Sequence, residues 1–184
     1  MLLTEFDANR QAIINPEALH DPLEGFPKIA VSCFSRSTFQ RMLEMFPYEL
    51  IYETSMANVA IPIYKLVIDD NELATFNAPV GASACVAILE DIFALGADKL
   101  VLFGTCGVLD EDIKETSIII PSHALRDEGT SFHYVEASDE IAVNVGVLDH
   151  FRSYLNERQI SHKEGKVWTT DGIYRETNGK LKAR

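Results

Sequence analysis

Apolar residues recur along this chain in two rhythms, every second position and every third or fourth, and these rhythms predict its elements. Residues 28–33 (KIAVSC) are a short β-branched run of the kind that makes a buried strand. Phe39, Met42, Leu43 and Phe46 then fall at helical spacing over residues 37–46, and Pro47 stops that helix. Residues 61–68 and 73–76 read as a hairpin around the turn cluster Asp69-Asp70-Asn71, with Pro62 placing the start of the first strand at a sheet edge.

The middle of the chain is the most regular part. Ser83 is the expected cap of a helix in which Cys85, Ile88, Leu89, Ile92 and Leu95 recur at three and four, closed by Gly96. Residues 99–103 (KLVLF) follow as a fully buried strand, so strand, crossover helix and strand form a parallel unit. Residues 118–120 predict another buried strand ending at Pro121. Asp139 is the expected cap of a long amphipathic helix bearing Ile141, Val145, Leu148, Phe151 and Leu155, and residues 166–170 are the last strand. After Thr170 the pattern leaves a solvated tail and an interrupted helix both open. The class is mixed α/β in three layers, on a single domain over residues 1–184.

Composition narrows the functions. The 184 residues carry 16 Lys+Arg against 28 Asp+Glu, a formal net charge of −12. A chain that acidic is repelled by a phosphate backbone, so nucleic acid is not an expected partner. No apolar run approaches the roughly 18 residues of a membrane span, and the opening MLLTEFD is not a basic leader. No membrane partner and a cytoplasmic location are therefore expected. Cys33, Cys85 and Cys106 lie far apart, without the spacing of a disulfide framework or zinc site. The histidines show no HxxxH pattern, so no metal is assigned.

Ligands of open α/β sheets bind beyond the carboxyl ends of strands. Three polar segments follow predicted strands: Asn77-Ala-Pro-Val-Gly-Ala-Ser83, Gly104-Thr-Cys-Gly107, and Arg126-Asp-Glu-Gly-Thr-Ser-Phe-His-Tyr134. The first, with Gly81 and Ser83, leads into a helix whose first N–H groups suit an anion, or is simply a capped helix start. The second offers a hydroxyl, Thr105, and a thiol, Cys106, on a backbone that a ligand can approach closely, or is a tight strand exit. The third, with Arg126 and His133, is a ligand-facing loop or a solvated one.

Residues 81–176 resemble the nucleoside phosphorylase family, which spans purine nucleoside and uridine phosphorylases and methylthioadenosine nucleosidases. PVGASACVAILEDIFALGADKLVLFGTCGVL, IIIPSHALRDEGTSFHYV and WTTDGIYRET carry the resemblance, in the family's order and spacing. It implies a three-layer αβα fold with a mixed, barrel-like central sheet, and cleavage of a nucleoside's N-glycosidic bond by phosphate or by water. Inorganic phosphate would be the co-substrate, with no further cofactor. The partners implied are small molecules, nucleoside and phosphate, and copies of the chain, as homo-oligomers built from dimers up to hexamers.

By position, Thr105 matches a phosphate- and ribose-binding threonine, with Gly81, Ser83 and Arg36 as further phosphate or ribose contacts. Cys106, Gly107, Ile173 and Tyr174 match the border of the base, and Asp171 a structural acid. His20 would be a ribose contact from a neighbouring protomer. The chain departs from the family at Leu102, where phosphorylases carry an arginine, and at Ser37, where the G-D-P-x-R loop places another, leaving Arg36 as the substitute. The altered sites leave three readings open: a phosphorylase, a water-using nucleosidase, and a nucleoside-binding subunit without activity. The family's sequence also continues past TDGIYRE into a V-E-M-E-like ribose clamp, so the resemblance implies a chain incomplete at its carboxyl end and weakly active.

Overall fold

The computed structural model describes residues 4–114 and 118–183; Met1-Leu2-Leu3, which open the predicted non-leader, and the terminal Arg184 lie outside the described residues. The described chain forms eight strands and four α-helices of mixed α/β class. Two compact units contain them, one of Asn9–Thr105 and one of Met1–Ala8 with Cys106–Arg184. Among the described residues no helix is long and apolar enough to cross a membrane.

The first unit holds β1 (Ile29–Cys33), α1 (Arg36–Met45), β2 (Tyr48–Met56), β3 (Val59–Ile68), β4 (Asn71–Thr75), α2 (Ala82–Leu95) and β5 (Lys99–Phe103). Its sheet runs β2-β3-β4-β1-β5. β4 and β5 both lie parallel to β1, so α2 is the expected crossover, while β2, β3 and β4 form an antiparallel meander. Period-two alternation gives each face its own core. Ile61 and Ile63 of β3 join Ala30, Phe76, Ile88, Ile92 and Leu95 on the α2 side. Leu66 joins Cys33, Phe39 and Leu43 on the α1 side. Helix, sheet and helix make three layers.

Several expectations change in detail. β5 is half-buried rather than fully buried, because it ends the sheet and has only β1 beside it. Gly81, not Ser83, caps α2, with φ +111, and no side chain caps that end; Ser83 stands exposed one residue into the helix. Pro62 faces Glu53 of β2 but lies beyond β4, whose Thr75 pairs with Tyr64, so the start of β3 is open on that side. β2 itself was not expected. Ile51 is an extra residue in it, between the pairs Leu50–Tyr64 and Tyr52–Ile63, and this bulge moves the side-chain alternation from one face to the other.

The second unit holds β6 (Ile118–Asp127), β7 (Glu140–Ala142), α3 (Val145–Glu157), β8 (His162–Thr170) and α4 (Asn178–Ala183). Its sheet runs β7-β6-β8, with β6 parallel to β8 and antiparallel to β7. The expected stop at Pro121 is a shift in register between Pro121 and His123, and β6 continues to Asp127. A proline is tolerated there because the ladder is already interrupted. The α3 cap is Asn144, whose side chain accepts from the Val147 N–H at 3.2 Å; Asp139 lies before β7, and Ile141 belongs to that strand. The end of the chain is a 3-10 turn, Ile173–Arg175, followed by the short α4.

Candidate active site

In the first unit, β4, β1 and β5 run parallel, so their carboxyl ends share one edge of the sheet. The backbone ladder between β1 and β4 is brief, with one register pair, Ala30–Ala74. Side chains continue it toward that edge. Thr75 Oγ1 donates to the Val31 carbonyl at 2.7 Å, the Ser32 hydroxyl donates to the Phe76 carbonyl, and Asn77 Nδ2 donates to the Cys33 carbonyl at 2.8 Å. Ser32 and Thr75 are fully buried, where an unmade hydrogen bond would cost about 1–3 kcal/mol. These three residues carry no motif; their signal is polarity at the end of an apolar strand.

The segments that leave this edge bear the predicted phosphate and ribose residues. Arg36 is the first residue of α1, exposed, just after the Ser35 cap that accepts from the Thr38 N–H at 3.2 Å. Gly81 and Ser83 stand at the start of α2, reached from β4 through Asn77 and Ala78; the Ala78 N–H bonds the Cys33 carbonyl at 3.0 Å. Thr105, exposed, follows β5. A Cβ at Gly104 would come within 2.9 Å of the Phe34 ring, so only glycine lets the β5 exit pass the β1 exit this closely. Two helix starts, the hydroxyls of Ser37, Ser83 and Thr105, and one guanidinium thus leave one sheet edge, a composition suited to an anion. Leu102 lies half-buried against the apolar cluster on the α2 side, so that position offers packing and no charge.

The second unit carries the other candidates. Cys106 and Gly107 are exposed on irregular chain, and Ile173 and Tyr174 lie on the exposed turn after β8. That turn is fixed from behind by β6. The Asp171 N–H bonds the Asp127 carbonyl at 3.1 Å, and Asp171 Oδ2 accepts from the Gly129 N–H at 3.0 Å. Asp127 accepts from Lys180 Nζ at 3.0 Å and from Trp168 Nε1 at 3.1 Å. Lys180, then Trp168 and Thr170, hold its carboxyl below the usual carboxylate range.

Arg126 differs most from expectation. It belongs to β6 and is 7% exposed. Its donors are aimed at its own loop, as Nε to Ser131 Oγ at 2.8 Å and Nη1 to the Glu136 carbonyl at 2.7 Å and to Ser138 Oγ at 2.8 Å. His133 stands exposed in the 3-10 turn Thr130–His133 of that loop. His20, in the first unit, is engaged within its own chain, with Nε2 at 3.1 Å from Asp91 Oδ1 and Nδ1 at 3.1 Å from the Tyr52 hydroxyl. Burial pushes the Cys33 and Cys85 thiols up, which keeps both in the less nucleophilic form. Among the described residues no group of three or more His, Cys, Asp or Glu is placed to hold a metal ion.

Known proteins share this fold. Uridine phosphorylase from Vibrio fischeri superposes with a TM-score of 0.73 at 18% identity, over 94% of this chain and 70% of that one. The 5'-methylthioadenosine/S-adenosylhomocysteine nucleosidase of Helicobacter pylori superposes with a TM-score of 0.68 at 18% identity, over 87% and 71% of the two chains. These likenesses show a common nucleoside phosphorylase-like fold. In sequence, guanosine phosphorylase of Halorubrum lacusprofundi is 21% identical over 118 residues, 62% of this chain and 49% of that protein. The chain thus spans less than half of that relative's length. The profile of the Phosphorylase superfamily matches residues 28–184, and the chain belongs to that superfamily.

Proposed function

We propose that the protein cleaves the N-glycosidic bond of a purine or pyrimidine nucleoside with inorganic phosphate. The observation that carries this reading is the anion-suited edge of the first unit, where Arg36, the α2 start at Gly81 and Ser83, and Thr105 follow three parallel strands. In the reaction the C1′–N bond breaks with its electron pair going to the base, and a phosphate oxygen forms the new bond to C1′. Charge builds up on the departing base while C1′ becomes oxocarbenium-like, so the protein's task is to orient both partners and stabilise that charge. Arg36 and the α2 N–H groups hold phosphate, Thr105 bonds phosphate and ribose, and Cys106, Gly107, Ile173 and Tyr174 border the base. Nucleoside and phosphate are the small-molecule partners, and the working enzyme is a homo-oligomer built from dimers.

The test is base release from inosine, adenosine, uridine and thymidine, with and without phosphate. Release is expected to require phosphate, and Arg36→Ala is expected to raise the phosphate KM about tenfold or more, the size of a lost charged hydrogen bond, while the nucleoside KM changes little. Leu102 favours a second reading, because Arg36 is then the one cation among residues 34–38, 76–83 and 104–105. Base release at full rate without phosphate would establish water as the nucleophile. Nucleoside binding with no turnover would instead identify a binding subunit.

A further inference from the structure

A buried guanidinium without a carboxylate beside it is an expensive group to keep. In the second unit Arg126 is such a group: among the described residues it makes no ion pair, and all its bonds go to neutral oxygens of residues 131–138. Besides Ser131 Oγ, the Glu136 carbonyl and Ser138 Oγ, these are the Ser138 carbonyl at 3.4 Å from Nη1 and the Val135 carbonyl at 3.3 Å from Nη2. The guanidinium also stacks 4.1 Å from the centre of the Phe132 ring. A compensating charge stands one hydroxyl away, since Ser131 Oγ, which accepts from Nε, donates to Glu128, and the Ser131 N–H bonds the same carboxylate at 2.9 Å.

Nε, Nη1 and one N–H of Nη2 are thus spent on giving one loop one shape. That shape leaves His133 and Tyr134 on the outside, with Tyr134 49% exposed. The same loop is bonded at Gly129 to Asp171, two residues before Ile173. Loop and turn are therefore one assembly, hung from Arg126 and Asp127 at the end of β6.

We propose that Arg126 is a positioning residue for nucleoside recognition: through the loop of residues 128–138 it sets His133 and Tyr134 beside the Ile173–Tyr174 turn as a preformed wall for the base. Arg126 itself does not touch the ligand. This rests on the nucleoside reading above and adds the residue that shapes its base-facing side. Preorganisation of this kind acts on binding, because a loop already ordered pays less entropy when the ligand arrives.

The experiment compares wild type with Arg126→Lys, which keeps the charge and loses the fork, and with Ser131→Ala, which removes the Nε acceptor and the hydroxyl's bond to Glu128 while the backbone bond to Glu128 stays. Nucleoside and phosphate KM are measured together, with amide exchange of residues 129–138. Arg126→Lys is expected to raise the nucleoside KM about tenfold or more, with the phosphate KM within about twofold and exchange faster in the loop alone. Ser131→Ala is expected to do the same more weakly. In combination with His133→Ala, Arg126→Lys is expected to add little, since both disable one wall. Equal rises in both KM values, strictly additive effects, or unchanged nucleoside KM in both variants would overturn the positioning role. A wild type that binds no nucleoside would overturn the preceding reading instead.

Discussion

In the Asn9–Thr105 unit, Ile63, Phe76, Leu66, Ile88 and Ile92 are shielded almost completely on the two faces of one sheet. In the unit of β6, β7 and β8, Ile120 and Leu155 are the buried apolar residues among those described. There the segments are pinned by polar bonds: Arg126 to its loop, Asp127 to Trp168 and Lys180, Arg152 to Glu164 and Asp149, and Lys166 to Glu140. Apolar burial is non-directional and holds a scaffold. Hydrogen bonds and ion pairs are directional, so they set the shape of exposed segments, and they respond to pH and salt.

The contrast can be broken at its strongest point. Phe76→Ala is expected to cost about 3–5 kcal/mol in denaturant unfolding, the usual loss for a large buried ring, whereas Leu155→Ala should fall near 2 kcal/mol, the low end for leucine. Equal losses would abolish the distinction. Within the apolar unit, the buried Thr54 hydroxyl bonds Asp91 Oδ2 at 2.6 Å, and Asp91 also holds His20. Thr54→Val is expected to cost about 1–2 kcal/mol, one polar pin amid packing.

The acid response should belong to the other unit. The Asp127 carboxyl is depressed mainly by Lys180, so the native form binds fewer protons than the unfolded chain near pH 4. Its stabilising contribution is complete above the ordinary carboxylate value of about 3.9 and disappears as pH falls through the depressed one. Trp168, the one tryptophan, reports this directly. Its fluorescence should change below pH 4 in wild type and show no such transition in Asp127→Asn. The smallest effect is expected at Arg152, on the surface. Arg152→Ala should loosen β8 amides at low salt and make no difference at about 1 M, where the Debye length is about 3 Å.

The legibility of the sequence follows the same division. α1, α2, the β3–β4 hairpin and the parallel crossover could be read because burial of one face writes a period into the residues. β2 escaped because its bulge switches faces midway: Tyr48 and Leu50 pair with Leu66 and Tyr64 yet stay exposed, while Tyr52, Thr54 and Met56 turn to the opposite face, where Tyr52 and Met56 pack on the α2-side core. Pro121 concealed the length of β6, since a proline at a register shift looks the same as one that ends a strand. Gly81, Ser83 and Thr105 could be located at strand exits because the strands before them are periodic, whereas Arg36 is singled out by the family resemblance alone. The inward aim of Arg126 could not be read, because its partners are mostly backbone carbonyls, which every residue possesses and no letter of the sequence distinguishes.

The bulge at Ile51 has a colloidal consequence. β2 is the last strand of its sheet, and a straight, uncharged strand in that place recruits further chains edge to edge. The extra residue bends the border, while Glu49 and Glu53 set carboxylates along it. A border containing Leu50, Ile51 and Tyr52 is thereby a poor template for amyloid-like growth, and the irregularity that hid the strand works against edge-to-edge stacking.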